Sequence, residues 1–192
     1  YGLGGFTTLT SFLGMNYTRN VDGSLNIEMK AKIGEILSTI PYEFKSSWVP
    51  FDNSLSRIIT GNKRDAPEDY ARDVLLEDLT PLENWLLKNY SSTVGMVGWP
   101  AKMCRPDLSQ AYSMLSRSLA TPAPCHARFL AKCLGYMHTT RDYVLVMQKS
   151  KTNNCVDTFL VVEAFSDSNY ADKLDDRFRA TSGVCFFLEG IL

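Results

Sequence analysis

At 192 residues and a net charge of −1, the chain is not a uniformly basic nucleic-acid binder, and 45% hydrophobic against 21% charged residues excludes wholesale disorder. No apolar run approaches the ~18 residues of a membrane span, so no membrane partner is expected. Five cysteines, an odd count with no CxxC pair, read as reduced thiols in an intracellular protein, at home in a cytoplasmic particle or the nucleus and not secreted.

The expected fold class is α+β. A β-hairpin comes first, then a small helical bundle, then a few strands. Residues 9–29 carry the hairpin: Phe12, Met15, Tyr17, Leu25 and Ile27 favour extended structure, and Asp22-Gly23 is a turn pair. Ile33, Ile36, Leu37 and Ile40 then fall at helical spacing, and Pro41 stops that helix. Residues 41–65 show no period and read as loop. Pro67 can start a helix over 67–78, in an acidic section, 65–83, that reads as a solvated helix face. Thr80-Pro-Leu-Glu83 has the capping-box pattern with proline at the first helical position, so another helix begins there.

"GMVGWPA", residues 95–101, is apolar, but Pro100 predicts a break or kink. Pro106 opens what reads as the strongest helix, with Leu108, Ala111, Tyr112, Leu115 and Leu119 as its apolar stripe. After Thr121-Pro-Ala-Pro124 a second helix presents His126, Phe129, Leu130, Cys133, Leu134 and Met137. Two amphipathic helices with a short link suggest a helical hairpin or bundle. Past Arg141 the pattern turns to strands: "DYVLVMQ", "DTFLVVEAF" and "GVCFFLE". The polar link 149–154 sets the expected boundary between a first domain, 1–148, and a second, 149–192.

Three constellations could carry chemistry. Cys125, His126, Cys133 and His138 fit no zinc knuckle or finger spacing, and His126 and Cys133 lie on the apolar stripe, so core packing is the better reading. Between positions 101 and 151 stand Lys102, Arg105, Arg117, Arg128, Lys132, Arg141, Lys149 and Lys151 against only Asp107 and Asp142, a net of +6. Such a section suits a phosphate backbone, or else forms ordinary solvated helix faces. Asp167 follows an apolar strand, where metal-binding acids are commonly placed. Asp172, Asp175 and Asp176 follow beside Lys173, Arg177 and Arg179, as loop charges would.

Four stretches, in order, resemble the polymerase polyprotein of copia-type LTR retrotransposons. They are "FLGMNYTRNVDGSLNIEMKAKIGEIL", "NYSSTVGMVGWPAKMCRPDLSQAYSMLSRSLATP", "CHARFLAKCLGYMHTTRDYVLV" and "FSDSNYADKLDDRFRATSGVCFFLEG", together about two-thirds of the chain. The RPD…LSR and SD…DDR…TSG blocks are the specific ones. The resemblance implies that residues 1–148 are the C-terminal part of a reverse transcriptase: primer grip, thumb and connection. Residues 149–192 would open an incomplete ribonuclease H-like α/β sheet. Phe12, Leu13, Gly14 and Met15 would belong to the primer grip. The basic section would hold an RNA–DNA hybrid or DNA duplex.

Asp167 matches the first ribonuclease H carboxylate, both catalytic and metal-binding in the family. The remaining Glu and two Asp are expected after Leu192, and the polymerase Asp pair before Tyr1. Two-metal hydrolysis needs several carboxylates around two Mg²⁺ ions about 4 Å apart. Mg²⁺ therefore belongs to the parent enzyme, and none is expected to bind tightly here. Asn169 stands where the family often has aspartate, and the acidic 65–83 section matches no family block. The chain is thus expected to be a fragment of such a polyprotein, partnered by nucleic acid and the rest of the polyprotein. The alternatives are a non-catalytic nucleic-acid-binding module or an inert remnant of such an element.

Overall fold

The computed structural model describes residues 10–51, 79–148, 162–168 and 182–188. The expected helix at 67–78, most of the acidic section, and Asp172, Asp175 and Asp176 lie outside these residues.

Strands β1 (Ser11–Phe12), β2 (Met15–Arg19) and β3 (Leu25–Glu28) form an antiparallel meander. Its first turn is tight. Leu13 and Gly14 both take positive φ, 52° and 82°, the combination that matches the natural twist of paired strands in a two-residue hairpin. The second turn carries Asp22-Gly23, with Gly23 at φ 86° and the Asp22 carboxylate accepting from the Ser24 N–H at 2.9 Å. β4 (Leu145–Met147) adds to the other side of β3, Ile27 facing Leu145. The "DYVLVMQ" strand therefore closes the first sheet, some 120 residues after the strand it pairs with.

Helix α1 (Lys30–Ser38) leaves β3 and buries Ile33, Ile36 and Leu37. Then follow α2 (Pro81–Lys88) and α3 (Tyr90–Met103), a short 3-10 turn at Pro106–Leu108, α4 (Ser109–Ser116) and α5 (Pro124–Thr139). Thr80 caps α2 as its sequence demands: its hydroxyl accepts from the Glu83 N–H at 3.3 Å, and the Glu83 carboxylate accepts from the Thr80 N–H at 2.7 Å.

Two helical expectations are corrected. α3 runs through Pro100 for three more residues instead of breaking there. Proline here forgoes one α-helical bond, and the helix closes just beyond it: the Pro100 carbonyl accepts from the Cys104 N–H at 3.1 Å and the Arg105 N–H at 2.9 Å. The helix expected from Pro106 to Leu119 is shorter, a 3-10 turn followed by eight α-helical residues. Leu108, Ala111 and Leu115 are buried, whereas Leu119 is 40% exposed, past the helix end.

α5 is the centre of the core. Phe129, Leu130, Cys133, Leu134 and Met137 are fully buried among Leu86, Tyr90, Val94, Val97, Leu108 and Leu115. Truncating a residue such as Phe129 costs about 3–5 kcal/mol in a site of this kind. Tyr90 fixes α3 to α4 through a buried hydrogen bond from its hydroxyl to the Leu115 carbonyl, 2.9 Å. Two glycines let neighbours in. A Cβ on Gly98 would lie 2.5 Å from the Tyr112 ring, and a Cβ on Gly135 would collide with the Lys45 carbonyl.

β5 (Val162–Ser168) and β6 (Ser182–Leu188) form a separate two-stranded antiparallel sheet, Asp167 opposite Gly183. β5 runs three residues beyond Phe165, so Asp167 sits inside the strand and not just past its end. Phe165 and Phe187 meet edge to face across the pair at 5.6 Å. Phe165 and Phe186, whose side chains alternate onto opposite faces, are each about 60% exposed.

Candidate nucleic-acid interface

Phe12 and Leu13 are 54% and 51% exposed at the tip of the first hairpin, while Met15 is buried beneath it. A leucine at φ 52° is strained backbone, held by the hairpin on one side and by Gly14 on the other. Gly14 is needed twice over. Its own φ is positive, and a Cβ there would press on the Lys32 side chain at 3.3 Å.

The six basic residues assigned to nucleic acid do not behave alike. Arg105 is only 2% exposed. Its guanidinium is bidentate to Asp107 (Nε to Oδ1 2.9 Å, Nη2 to Oδ2 2.7 Å) and reaches the end of α5, donating to the Thr140 carbonyl at 3.0 Å and the Thr140 hydroxyl at 2.6 Å. Tyr136 donates its hydroxyl to the same Asp107 oxygen at 2.7 Å, and the guanidinium lies over the Tyr136 and Tyr143 rings. This corrects the assignment of Arg105 to a phosphate contact. Every face of its fork is spent inside the protein, and the RPD motif here is a structural clamp.

Electrostatics fit the clamp. Burial pushes the Asp107 carboxyl up, but the hydrogen bonds from Arg105 and Tyr136 outweigh it and hold the group below its ordinary value. Burial, then the neighbouring Asp107, pushes Tyr136 up to about 12. The tyrosine therefore remains a hydrogen-bond donor across the neutral range.

Lys102, Arg117 and Arg141 are exposed and share one placement. Each stands at the C-terminal end of a helix: the last turn of α3, the cap of α4 and the residue after the cap of α5. Cations there complement the negative end of the helix dipole, a structural use that does not preclude a ligand. Lys102 also lies over the Tyr112 ring, 5.3 Å from its centroid.

Arg128 and Lys132 are one turn apart on α5, half-buried, and line a groove of about 810 Å³ between α5, the start of α2 and the loop at 42–47. Tyr42, Glu43, Lys45, Ser46, Ser47 and Glu83 line it as well. The sequence gives this loop no period, and Tyr42 and Trp48 on either side of Lys45 are the local signal it does carry.

His126 forms a pair with Ser118, Nε2 to Oγ 2.8 Å, that resembles a nucleophile and its base. It cannot work as one. Nδ1 accepts the Ala123 N–H at 2.9 Å, so the ring hydrogen is on Nε2 and is given to Ser118. The histidine ties the start of α5 to the α4–α5 link. Burial lowers its pKa and raises those of Cys104 and Cys133, to about 11 and about 12, which leaves inert thiols.

Asp167 is exposed on β5. Glu163 lies on the same face, four residues away along an extended strand, out of reach of a shared ion. Among the described residues no three His, Cys, Asp or Glu side chains stand close enough to hold a metal. Among the described residues Asp167 has no second carboxylate within reach of a shared ion, whereas two-metal hydrolysis uses several. Among the same residues no helix is long and apolar enough to cross a membrane.

No protein-family model matches the chain, and no solved structure matches it. Two curated proteins are similar to it. "Putative transposon Ty5-1 protein YCL074W" of Saccharomyces cerevisiae is 27% identical over 191 residues, 99% of this chain and 53% of that protein. "Secreted RxLR effector protein 161" of Plasmopara viticola is 33% identical over 101 residues, 53% of this chain and 66% of that protein. The chain therefore matches only about half to two-thirds of the length of these relatives. Its likeness to a transposon protein runs from end to end, and it fits a transposon-derived chain.

Proposed function

We propose that this chain is a fragment of a copia-type retrotransposon reverse transcriptase/ribonuclease H that helps hold the template–primer duplex. In this reading residues 1–148 carry the primer-grip hairpin, the thumb and the connection. Residues 149–192 begin the ribonuclease H domain, and Asp167 is the first of its carboxylates. The chain lacks a complete active site of its own, acts inside the cell, and works with the rest of the polyprotein.

The whole-length similarity to the transposon protein carries the proposal. The ordered RPD…LSR and SD…DDR…TSG blocks support it. Duplex contact falls to the exposed cations Lys102, Arg117 and Arg141 and to the strained tip at Phe12 and Leu13. Arg105 holds the helices together beneath them.

Binding of a fluorescent RNA–DNA hybrid to the 192-residue protein tests the reading. Salt-dependent binding, weakened in the triple variant Lys102→Ala/Arg117→Ala/Arg141→Ala, is the expected result. Affinity no better than that of a control protein of equal net charge rejects it. An incubation with Mg²⁺ and the same hybrid should give no RNA cleavage, and cleavage abolished by Asp167→Asn would replace the fragment reading with an active nuclease.

A further inference from the structure

We infer that the groove between α5 and the loop at 42–49 is a binding site for single-stranded nucleic acid, separate from the duplex contacts proposed above. The inference rests on the reading of the chain as a nucleic-acid holder and names a second substrate form and a second set of residues.

Three features of the groove carry it. The first is a built loop. Gly135 has no Cβ, so the Lys45 carbonyl can lie against α5, and the Ser47 N–H donates to the Thr139 hydroxyl at 3.1 Å. Phe44 turns inward against His138 and Phe51 against Phe129, at 5.9 and 6.0 Å between ring centroids. The loop is thus pinned at four points along ten residues, although it has no regular secondary structure.

The second is what the pinned loop displays. Tyr42, in the groove's lining, is 38% exposed, and Trp48, on the same loop but outside that lining, is 73% exposed; the other two aromatic rings of the segment are tucked in. A pinned tryptophan left in water is a ready stacking surface, and every base has a face that can stack on it.

The third is charge. Lys45, Arg128 and Lys132 line the groove against Glu43 and Glu83. Glu83 is engaged with the Thr80 N–H at the positive end of α2, which offsets its charge. Cations along a groove that has one aromatic in its lining and another exposed on the same loop suit a single strand held without reading its sequence. Duplex bases are already stacked on each other and cannot use Trp48, so the site favours single strands.

Fluorescence anisotropy on the full 192-residue protein, with labelled 12-mers of oligo(dT), oligo(U) and a 12-base-pair duplex, tests this. Trp48→Ala removes an exposed ring and should weaken both single strands about tenfold or more while leaving duplex affinity unchanged. Lys132→Ala should lower the single-strand salt slope by about 0.7, the value for one phosphate contact. Comparing oligo(dT) with oligo(U) separates DNA from RNA as the natural strand. Single-strand binding that survives both substitutions overturns the inference but leaves the duplex reading standing. Loss of duplex and single-strand binding together in Trp48→Ala also overturns it, since the two sites would then be one. Poly-glutamate binding as tightly as the single strands would show a general polyanion surface and reject it too.

Discussion

Arg105 holds the last turn of α5 by bonding both the carbonyl and the hydroxyl of Thr140, at 3.0 and 2.6 Å. Thr140 caps that helix, and its hydroxyl also bonds back to the Tyr136 carbonyl at 2.7 Å. The guanidinium thus meets the negative end of the longest described helix and gives a second donor to the Thr140 carbonyl, which the Tyr143 N–H also reaches at 3.0 Å. Asp107 neutralises the charge from the other side, so a fully desolvated cation is paid for locally. Arg105→Met removes the fork and leaves Asp107, which keeps a third of its side-chain exposure. The expected loss is about 2–3 kcal/mol, below the ~3–5 kcal/mol of a fully buried broken pair. Asp107→Asn strands the buried guanidinium and should reach that upper range. Urea unfolding of the two variants checks the order. Equal losses would mean that the pair is not the clamp.

The acid response should come in two steps. Burial holds His126 below its ordinary 6.5. A base with a depressed folded pKa contributes its full stability above the unfolded value and loses it as pH falls from about 6.5 toward the folded value. Asp107, also depressed, contributes fully above its ordinary 3.8 and loses its share only as pH falls below that. Urea midpoints measured from pH 8 to pH 3 should decline first below about 6.5 and again below about 4. His126→Gln should flatten the first decline and leave the second. An unchanged first step in that variant would assign it to another group.

Gly135→Ala places a methyl group where the Lys45 carbonyl now lies. The backbone on both sides is fixed, by the helix and by the Ser47–Thr139 bond, so neither can yield cheaply. A loss of about 1–3 kcal/mol is expected, the range for overpacking a filled site. Hydrogen exchange should also quicken at Ser47, because the loop must lift from α5. Ordinary stability with unchanged exchange would show that the contact is soft.

Much of this fold was legible because local rules and tertiary contacts agree. The Thr80–Glu83 box needs only four residues and a helix to follow. The apolar stripes of α1 and α5 follow from spacing, and the five α5 residues Phe129, Leu130, Cys133, Leu134 and Met137 are indeed core. What stayed hidden depends on distant partners. Arg105 counted as one more surface cation because Thr140 and Tyr136 lie over 30 residues away, and nothing local marks them. Pro100 looked like a break because a sequence window does not show that its carbonyl collects two closing bonds. The 42–49 loop has no period to read, since its order comes from Gly135, Thr139, His138 and Phe129 on another element. Asp167 could be named only through a resemblance, because one exposed carboxylate on a strand has no local mark of a metal site.

The helix-end placement of Lys102, Arg117 and Arg141 makes two demands on the same charges, and they can be measured apart. As dipole partners, each contributes about 0.3–1 kcal/mol to stability, an amount that fades with added salt. As phosphate contacts, each adds about 0.9 to the slope of log affinity against log salt for a duplex. Neutralising Arg117 and Arg141 together should therefore lower the duplex salt slope by nearly 2. The same substitutions should reduce stability only slightly at low salt and hardly at all at high salt. A stability loss with an unchanged salt slope would leave these residues as helix caps alone, and the duplex would need another surface. A lowered slope with unchanged stability would make them contacts first. The arrangement predicts both effects together, because an exposed cation at a helix end can meet a phosphate without breaking into a buried network such as the one that holds Arg105.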